Sequence, residues 1–274
     1  MELVNPPFCY TGSKFKLLPQ ILPHFDYTKK TFIDVFTGGG SVYTNIIDKY
    51  DKIIINDIIK DLVECHRLLG ENEPNFIGAV KFYSVGKDEQ EEYYKLRDSY
   101  NISPSPQKLF ALMLCCTNNM LRFNKKFKFN QTFGKRTFNS STQEKIDKFI
   151  KHIHPHKNKI EYKSIEFDVL SINEDMMVYL DPPYAGKIHK EAGYNAYYSA
   201  EKDLKLFEYC IKINEVKGSF CLSNTYNENT TLNAPVVTKL ISAGFALVKL
   251  DGNYDKVARN KSKIKMDEIL IKNY

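Results

Sequence analysis

Tryptophan is missing from this 274-residue chain, and so is any hydrophobic run long enough to cross a membrane, which takes about 18 or more apolar residues. The start, Met1-Glu2-Leu3-Val4-Asn5-Pro6, has no basic segment followed by an apolar one, so it does not read as a signal peptide. No cysteine pair has C-x-x-C spacing among Cys9, Cys65, Cys115, Cys116, Cys210 and Cys221. Neither a zinc site nor a disulfide framework is therefore indicated, and a reducing cytoplasm is the expected compartment. Internal repeats and low-complexity linkers are also lacking. One absence is local and carries more meaning: no acidic residue stands between Asp98 and Glu144. That stretch holds Lys108, Arg122, Lys125, Lys126, Lys128, Lys135 and Arg136. A segment of one charge sign points to a polyanion. A merely solvated cationic loop would lack the phenylalanines interleaved here.

What is present is enough for a large core. At 43% hydrophobic residues and a net charge of +6, the chain reads as one large domain, or one domain with a substantial insertion. Residues 32–36, Phe-Ile-Asp-Val-Phe, predict a buried strand running into Thr37-Gly38-Gly39-Gly40-Ser41, with a helix over 42–50. A second buried strand is expected over 52–57, ending in Asp57. Strand, glycine turn, helix, strand is how a doubly wound α/β sheet begins. Helices are then expected near 58–70, 88–100, 105–121 and 141–154, which reads as an insertion. The α/β pattern resumes with a strand at 176–180, a helix at 200–215 and strands at 218–222, 245–250 and 268–271. The last two are expected to form a hairpin across a basic loop with Lys256, Arg259, Lys261, Lys263 and Lys265.

Three short segments carry chemistry. Asp181-Pro182-Pro183-Tyr184 closes the apolar run Met176–Leu180. The prolines donate no N–H, so the strand ladder must stop there and the carbonyls are left for a ligand. Asp181 and the adjacent carbonyl suit the two N–H groups of one exocyclic amine, and Tyr184 offers a face for a flat heterocycle. As a bland alternative, the same residues make a surface turn after a strand. In the glycine turn, backbone can come close to a ligand where a Cβ would clash. Asp57, nineteen residues beyond Gly38, stands where an acid can accept from ribose hydroxyls. Alone, this half would equally suit a nicotinamide enzyme, although Gly38-Gly39-Gly40-Ser41-Val42-Tyr43 is not the G-x-G-x-x-G pattern. Near the start, Pro7-Phe8-Cys9-Tyr10-Thr11-Gly12-Ser13-Lys14 offers an aromatic, a tight turn and a lysine for a small zwitterionic ligand, or else a plain turn and a surface charge.

Taken in order, these segments resemble the Dam-type DNA adenine methyltransferases, the D12 class with a DPPY motif, and above all their compact bacteriophage versions. The resemblance rests on Tyr10–Lys14, Phe32–Gly39, Asn56-Asp57-Ile58 and Asp181–Tyr184, with Asn118–Asn124 and Phe133–Thr137 similar to the family's target-recognition segment. It spans nearly the whole chain. It implies an S-adenosylmethionine-dependent sheet made by 1–60 and 164–274, with a mainly helical recognition insertion at 61–163. It also implies that Tyr10, Lys14, Gly38, Gly39, Asp57, Phe167, Asp168 and Asp181 bind S-adenosylmethionine, and that S-adenosylhomocysteine is the product. Asp181, Pro182 and Tyr184 would be catalytic. Double-stranded DNA is the implied partner, with Met120, Arg122, Asn124, Lys126, Lys128, Lys135 and Arg136 on it and adenine, commonly in GATC, as target. Gln131-Thr132 departs from the proline expected in phage relatives, which leaves the recognition sequence open. A monomer in solution, with more than one copy on DNA, is expected, in a bacterial or host cytoplasm, with no metal and no membrane. An RNA or small-molecule methyltransferase and a silent nucleic-acid-binding protein are the competing readings, and so is the choice between a restriction–modification, solitary or viral role.

Overall fold

The computed structural model describes residues 2–8, 10, 12–184, 198–231, 233–251 and 266–274. The expected basic loop from Lys256 to Lys265, and Cys9 and Thr11 of the amino-terminal segment, lie outside the described residues. The strands are β1 (Thr31–Asp34), β2 (Lys52–Asn56), β3 (Ile160–Lys163), β4 (Met176–Leu180), β5 (Ser219–Tyr226), β6 (Ala246–Leu250) and β7 (Asp267–Lys272). They form one seven-stranded sheet in the order β3-β2-β1-β4-β5-β7-β6. Five of these follow the 3-2-1-4-5 order of doubly wound nucleotide-binding sheets. β1–β4, β2–β3 and β4–β5 pair in parallel, while β7 runs antiparallel to both β5 and β6. The fold class is thus α/β, and the expected terminal hairpin is β6–β7, with Val248 opposite Leu270.

The helices are α1 (Leu18–Ile21), α2 (Ser41–Ile46), α3 (Lys60–Gly70), α4 (Phe76–Tyr83), α5 (Gln90–Ile102), α6 (Pro106–Cys115), α7 (Ser140–Ile153), α8 (Ala200–Glu215) and α9 (Pro235–Ser242). Two expected helices are shorter than predicted, and the one over 42–50 ends at Ile46. The run over 105–121 is α-helical only to Cys115, because Cys116 turns to extended backbone, φ −80° and ψ 161°, and beyond it Asn118 and Asn119 take left-handed angles, φ 57° and 52°. Asparagine tolerates that conformation better than most residues, and it stops a right-handed helix. The strand β3 was not foreseen. Ile160-Glu161-Tyr162-Lys163 is a four-residue edge strand whose glutamate pairs with Lys52 at 2.6 Å and Lys163 at 2.8 Å.

The chain forms two compact units, residues 1–15 with 37–166, and 16–36 with 167–274. In the first, α3 carries Leu62, Val63, Cys65, His66, Leu68 and Leu69 on its buried side. The middle of α6 and the amino-terminal segment meet that core through Phe8, whose ring lies 5.2 Å from Phe110 and 4.0 Å from His66. In the second, Val178, Leu180, Phe220, Leu222, Ile269 and Ile271 share one face of β4, β5 and β7 by register and alternation, all fully buried. Phe25 covers the opposite face, with its ring 5.3 Å from Phe32 and 5.4 Å from Tyr179.

The short helix α9 was also unforeseen, and a distant side chain supports its start. Its own cap residue, Ala234, has no side chain to offer, and the Val236 N–H donates to Asp203 of α8 at 2.8 Å. Asp203 is fully buried, and burial raises its carboxyl pKa. Replacing Asp203 with alanine leaves that amide unsatisfied, a loss of about 1–3 kcal/mol. A lower urea midpoint for Asp203→Ala with an unchanged slope is the expected result.

Candidate active site

The glycine loop is built from both sides. Thr37 N donates to the Asn56 carbonyl at 2.9 Å and Asn56 N donates to Thr37 Oγ1 at 3.1 Å, which joins the loop to the end of β2. Gly40, at φ 75°, begins α2, and a Cβ there would lie 2.5 Å from the Tyr43 ring and 2.6 Å from the His66 ring. Gly38 is held at both ends of its residue. Its N–H donates to Asp57 Oδ2 at 3.0 Å, and its carbonyl stands 2.9 Å from His66 Nε2. A carbonyl only accepts, so Nε2 carries the proton, and Nδ1 accepts from the Tyr43 hydroxyl at 2.9 Å. Burial holds His66 neutral, with its pKa lowered to about 4. Asp57 Oδ1 accepts from Ile59 N at 3.0 Å, and burial raises the Asp57 carboxyl pKa against these bonds.

Tyr10 lies on this loop. A Cβ on Gly38 would stand 2.9 Å from the Tyr10 ring, and one on Gly39 would stand 2.7 Å from Tyr10 Cβ. The close approach inferred from the glycines is therefore made by a side chain of the chain itself. Behind Tyr10, Gly12 takes φ 86° and Ser13 Oγ meets Ser41 Oγ at 2.8 Å, tying the amino-terminal turn to α2. Lys14 is not an ordinary surface charge: it is only 6% exposed, with Nζ donating to the Gly12 carbonyl at 3.3 Å. The first unit thus brings together Tyr10, Gly38, Gly39 and Asp57, while Lys14 belongs to the amino-terminal turn tied to α2. His66 was missed because a lone histidine inside an amphipathic helix carries no local signal.

The second unit holds Phe167, Asp168 and the Asp181–Tyr184 segment. Phe167 is buried, with its ring 5.5 Å from Phe36 and 5.9 Å from Tyr209, while half-buried Asp168 stands 4.0 Å from Lys205 Nζ. Asp181 follows β4 at the carboxyl end of the sheet, beside β1. Pro182 is buried. Below the segment, the Tyr179 hydroxyl and Ser223 Oγ are 2.7 Å apart. Asp181 is not isolated, since the Tyr184 hydroxyl lies 3.4 Å from its Oδ1 and 3.2 Å from Oε2 of Glu268, a residue that sequence reasoning did not single out. The two carboxylates and burial raise the Tyr184 pKa, burial contributing most.

The basic segment is a short antiparallel hairpin, bridged at Cys116–Phe133 and Phe123–Phe129. Most of its interleaved aromatics turn inward. Phe123 and Phe129 are buried, and Asn101 brackets Phe129 by accepting from its N–H at 2.8 Å and donating to its carbonyl at 2.9 Å. Phe127, at φ 56° and 47% exposed, is the outward ring, between exposed Lys126 and Lys128. Asn124 Oδ1 accepts from Lys126 N at 2.9 Å and Lys128 N at 3.1 Å, so it holds the tip. Met120 is buried, Arg122 half-buried, and Lys135 exposed at φ 55°. Arg136 donates to the Asn119 carboxamide oxygen.

The buried His66 has a consequence for stability. Above pH 6.5 the ring is neutral in both folded and unfolded chains. Between 6.5 and about 4 the unfolded chain takes up a proton that the folded chain refuses. Acidification therefore removes stability across that window, by up to about 3 kcal/mol from this group. Asp57, with its raised pKa, acts in the opposite sense where it protonates. Urea titrations from pH 7 to 4 should show a steeper loss for the wild type than for His66→Leu, by about one proton, even though the variant starts less stable.

The chain matches the D12 class N6 adenine-specific DNA methyltransferase family over residues 10–255. It is 27% identical to the modification methylase StsI of Streptococcus sanguinis, over 100% of this chain and 43% of that protein. It is 26% identical to the type II methyltransferase M.MjaIII of Methanocaldococcus jannaschii, over 82% and 85%. A DNA adenine methylase of Haemophilus influenzae is 26% identical over 72% of this chain and 69% of its own length. The chain spans less than half the length of the first of these relatives. A match that runs from Tyr10 through the glycine loop and the basic hairpin to beyond Tyr184 makes this chain a member of the D12 class N6 adenine-specific DNA methyltransferase family.

Proposed function

We propose that the chain transfers the methyl group of S-adenosylmethionine to the exocyclic amino group of adenine in duplex DNA, with GATC the first sequence to test. The observation that carries this reading is Asp181-Pro182-Pro183-Tyr184 at the carboxyl end of β4, beside β1, where doubly wound sheets bind their ligands. In this reading 1–60 with 164–274 is the catalytic region and 61–163 the recognition region.

The residues of the first unit suit such a cofactor. Tyr10 supplies an aromatic face, buried Lys14 a cation for a carboxylate, and Asp57 an acceptor for ribose hydroxyls beside the amide it already holds. Phe167 and Asp168 of the second unit are assigned to the adenine moiety. When bound, S-adenosylmethionine supplies an electrophilic methyl group on a sulfonium and leaves as S-adenosylhomocysteine. The protein's task is to make a poor nucleophile better. The adenine amino lone pair is conjugated into the ring. Accepting its two N–H bonds at the Asp181 carboxylate and the Pro182 carbonyl favours a pyramidal nitrogen. Holding that nitrogen in line supplies acceleration by proximity, worth up to about 7–11 kcal/mol in well-oriented systems. An adenine inside a duplex is out of reach, so it must leave the stack at a cost of about a few kcal/mol, offset in part by stacking on Tyr184.

On the hairpin, Arg122 and Arg136 are assigned to guanine edges, and Lys125, Lys126, Lys128 and Lys135 to phosphates. Asn119 orients the Arg136 guanidinium, while buried Met120 and the carboxamide of Asn124 serve the shape of the segment.

Three experiments test the reading. Methylation-sensitive long-read sequencing of DNA from cells expressing the chain should report N6-methyladenine in one short motif; methylated RNA alone, or no mark, would reject it. Asp181→Ala should lose roughly a hundredfold to a thousandfold in turnover with an unchanged circular dichroism spectrum and DNA affinity. Salt-dependent binding to matched and mismatched duplexes should separate the basic residues. Arg122→Ala or Arg136→Ala should cost about 1–3 kcal/mol and relax preference at one position. By contrast, Lys126→Ala should weaken all duplexes alike and lower the salt slope by about one counterion.

A further inference from the structure

A phenol has one proton, and two carboxylates stand at the hydroxyl of Tyr184. Asp181 Oδ1 is 3.4 Å away and Glu268 Oε2 is 3.2 Å away. Glu268 reaches this point from β7, where it lies opposite Thr225 of β5. The two possible recipients have unequal consequences. If the phenol donates to Asp181, it takes up acceptor capacity on the carboxylate assigned to the adenine amine. If it donates to Glu268, the phenol takes up none of the acceptor capacity of Asp181. The shorter contact, to Glu268, favours the second arrangement. Conjugation also keeps a phenolic O–H near the plane of its ring, so a fixed acceptor at that oxygen resists rotation of the face assigned to stacking.

We propose that Glu268 is a positioning residue of the methyl-transfer site: it draws the Tyr184 proton away from Asp181 and fixes the plane of the Tyr184 ring. This rests on the methyltransferase reading given above. Glu268 touches neither substrate nor cofactor in this role and acts only through Tyr184. Glutamine at 268 keeps the size and offers a neutral, weaker acceptor, which turns the phenol proton back toward Asp181. Removing the hydroxyl in that background takes the competing proton away.

The test is a kinetic cycle with adenine-containing duplex DNA and S-adenosylmethionine on the full chain. Glu268→Gln should lower kcat by about tenfold, the worth of one such hydrogen bond, with S-adenosylmethionine affinity by calorimetry unchanged. The double variant Glu268→Gln with Tyr184→Phe should then be faster than Glu268→Gln alone. A residue that only supports the fold would not be rescued by deleting a neighbouring hydroxyl. The proposal is overturned if Glu268→Gln turns over at the wild-type rate, or if the double variant is as slow as or slower than the single one. Should Glu268→Gln lose its circular dichroism signal, Glu268→Asp is crossed with Tyr184→Phe instead. It keeps the charge at a shorter reach, and the same rescue or its absence decides. Wild-type protein that transfers no methyl group to any duplex would reject the methyltransferase reading itself, a different result from an active wild type with unaffected Glu268 variants.

Discussion

The backbone at Gly38 is the point on which the first unit's candidate cofactor residues depend. Its N–H goes to Asp57 after β2 and its carbonyl to His66 in the middle of α3, so one residue is held by two side chains from separate elements. Neither holder is replaceable by a simple swap of polarity. The amide needs an acceptor and the carbonyl a donor, and both lie where water does not reach. Burial then sets the protonation of the holders. His66 is kept neutral with its proton on Nε2, and Tyr43 completes the chain by donating to Nδ1. The same crowding explains why three glycines stand in a row. Tyr10 covers Gly38 and Gly39, while Tyr43 and His66 close on Gly40, so the space a Cβ would need at each of the three is already taken by the protein.

This arrangement gives the loop a fixed shape before anything binds. A ligand that meets a preformed backbone does not have to spend its own binding free energy on ordering it. Strand ends supply the fixed points in both units. Asp57 follows β2 and Asp181 follows β4, each where a ladder stops and polar groups turn outward. The prolines after Asp181 enforce that stop chemically, since they have no N–H with which to continue a ladder.

Much of the sheet was legible because buried parallel strands are continuous apolar runs. Ile53-Ile54-Ile55 and Met177-Val178-Tyr179-Leu180 are of that kind, and both appear as strands. What escaped notice had a physical reason in each case. Ile160-Glu161-Tyr162-Lys163 alternates charge with bulk, as suits an edge strand, and such a short alternation is indistinct in sequence. The start of α9 depends on Asp203, thirty-three residues earlier in the chain, so no local cap marks it. The glycine loop was recognised, but its contents were not. Spacing located Asp57, whereas His66 and Glu268 act through contacts that only the fold creates. The Asp57 carboxylate proved to be occupied by backbone amides as well, a role that strand-end position alone does not reveal.

The basic hairpin shows the same division between pattern and use. In sequence, its phenylalanines and lysines alternate as though all faced one partner. In the fold, Phe129 holds the hairpin to α5, through Tyr100 at 6.2 Å and through Asn101, and Phe123 packs on Phe129 at 5.6 Å. The lysines between them are therefore turned outward by the packing of their neighbours, not by any charge of their own. Left-handed residues at Asn118, Asn119, Phe127 and Lys135 mark the bends where the segment changes direction. Such conformations cost non-glycine residues free energy and persist only where surrounding contacts impose them. Here the contacts are identifiable: Asn119 donates to the Met113 carbonyl at 2.9 Å while its oxygen receives Arg136, and Asn124 binds both Lys126 and Lys128 amides around Phe127. An aromatic core thus holds the backbone of a cationic tip in place, with Asn124 fixing the turn around Phe127.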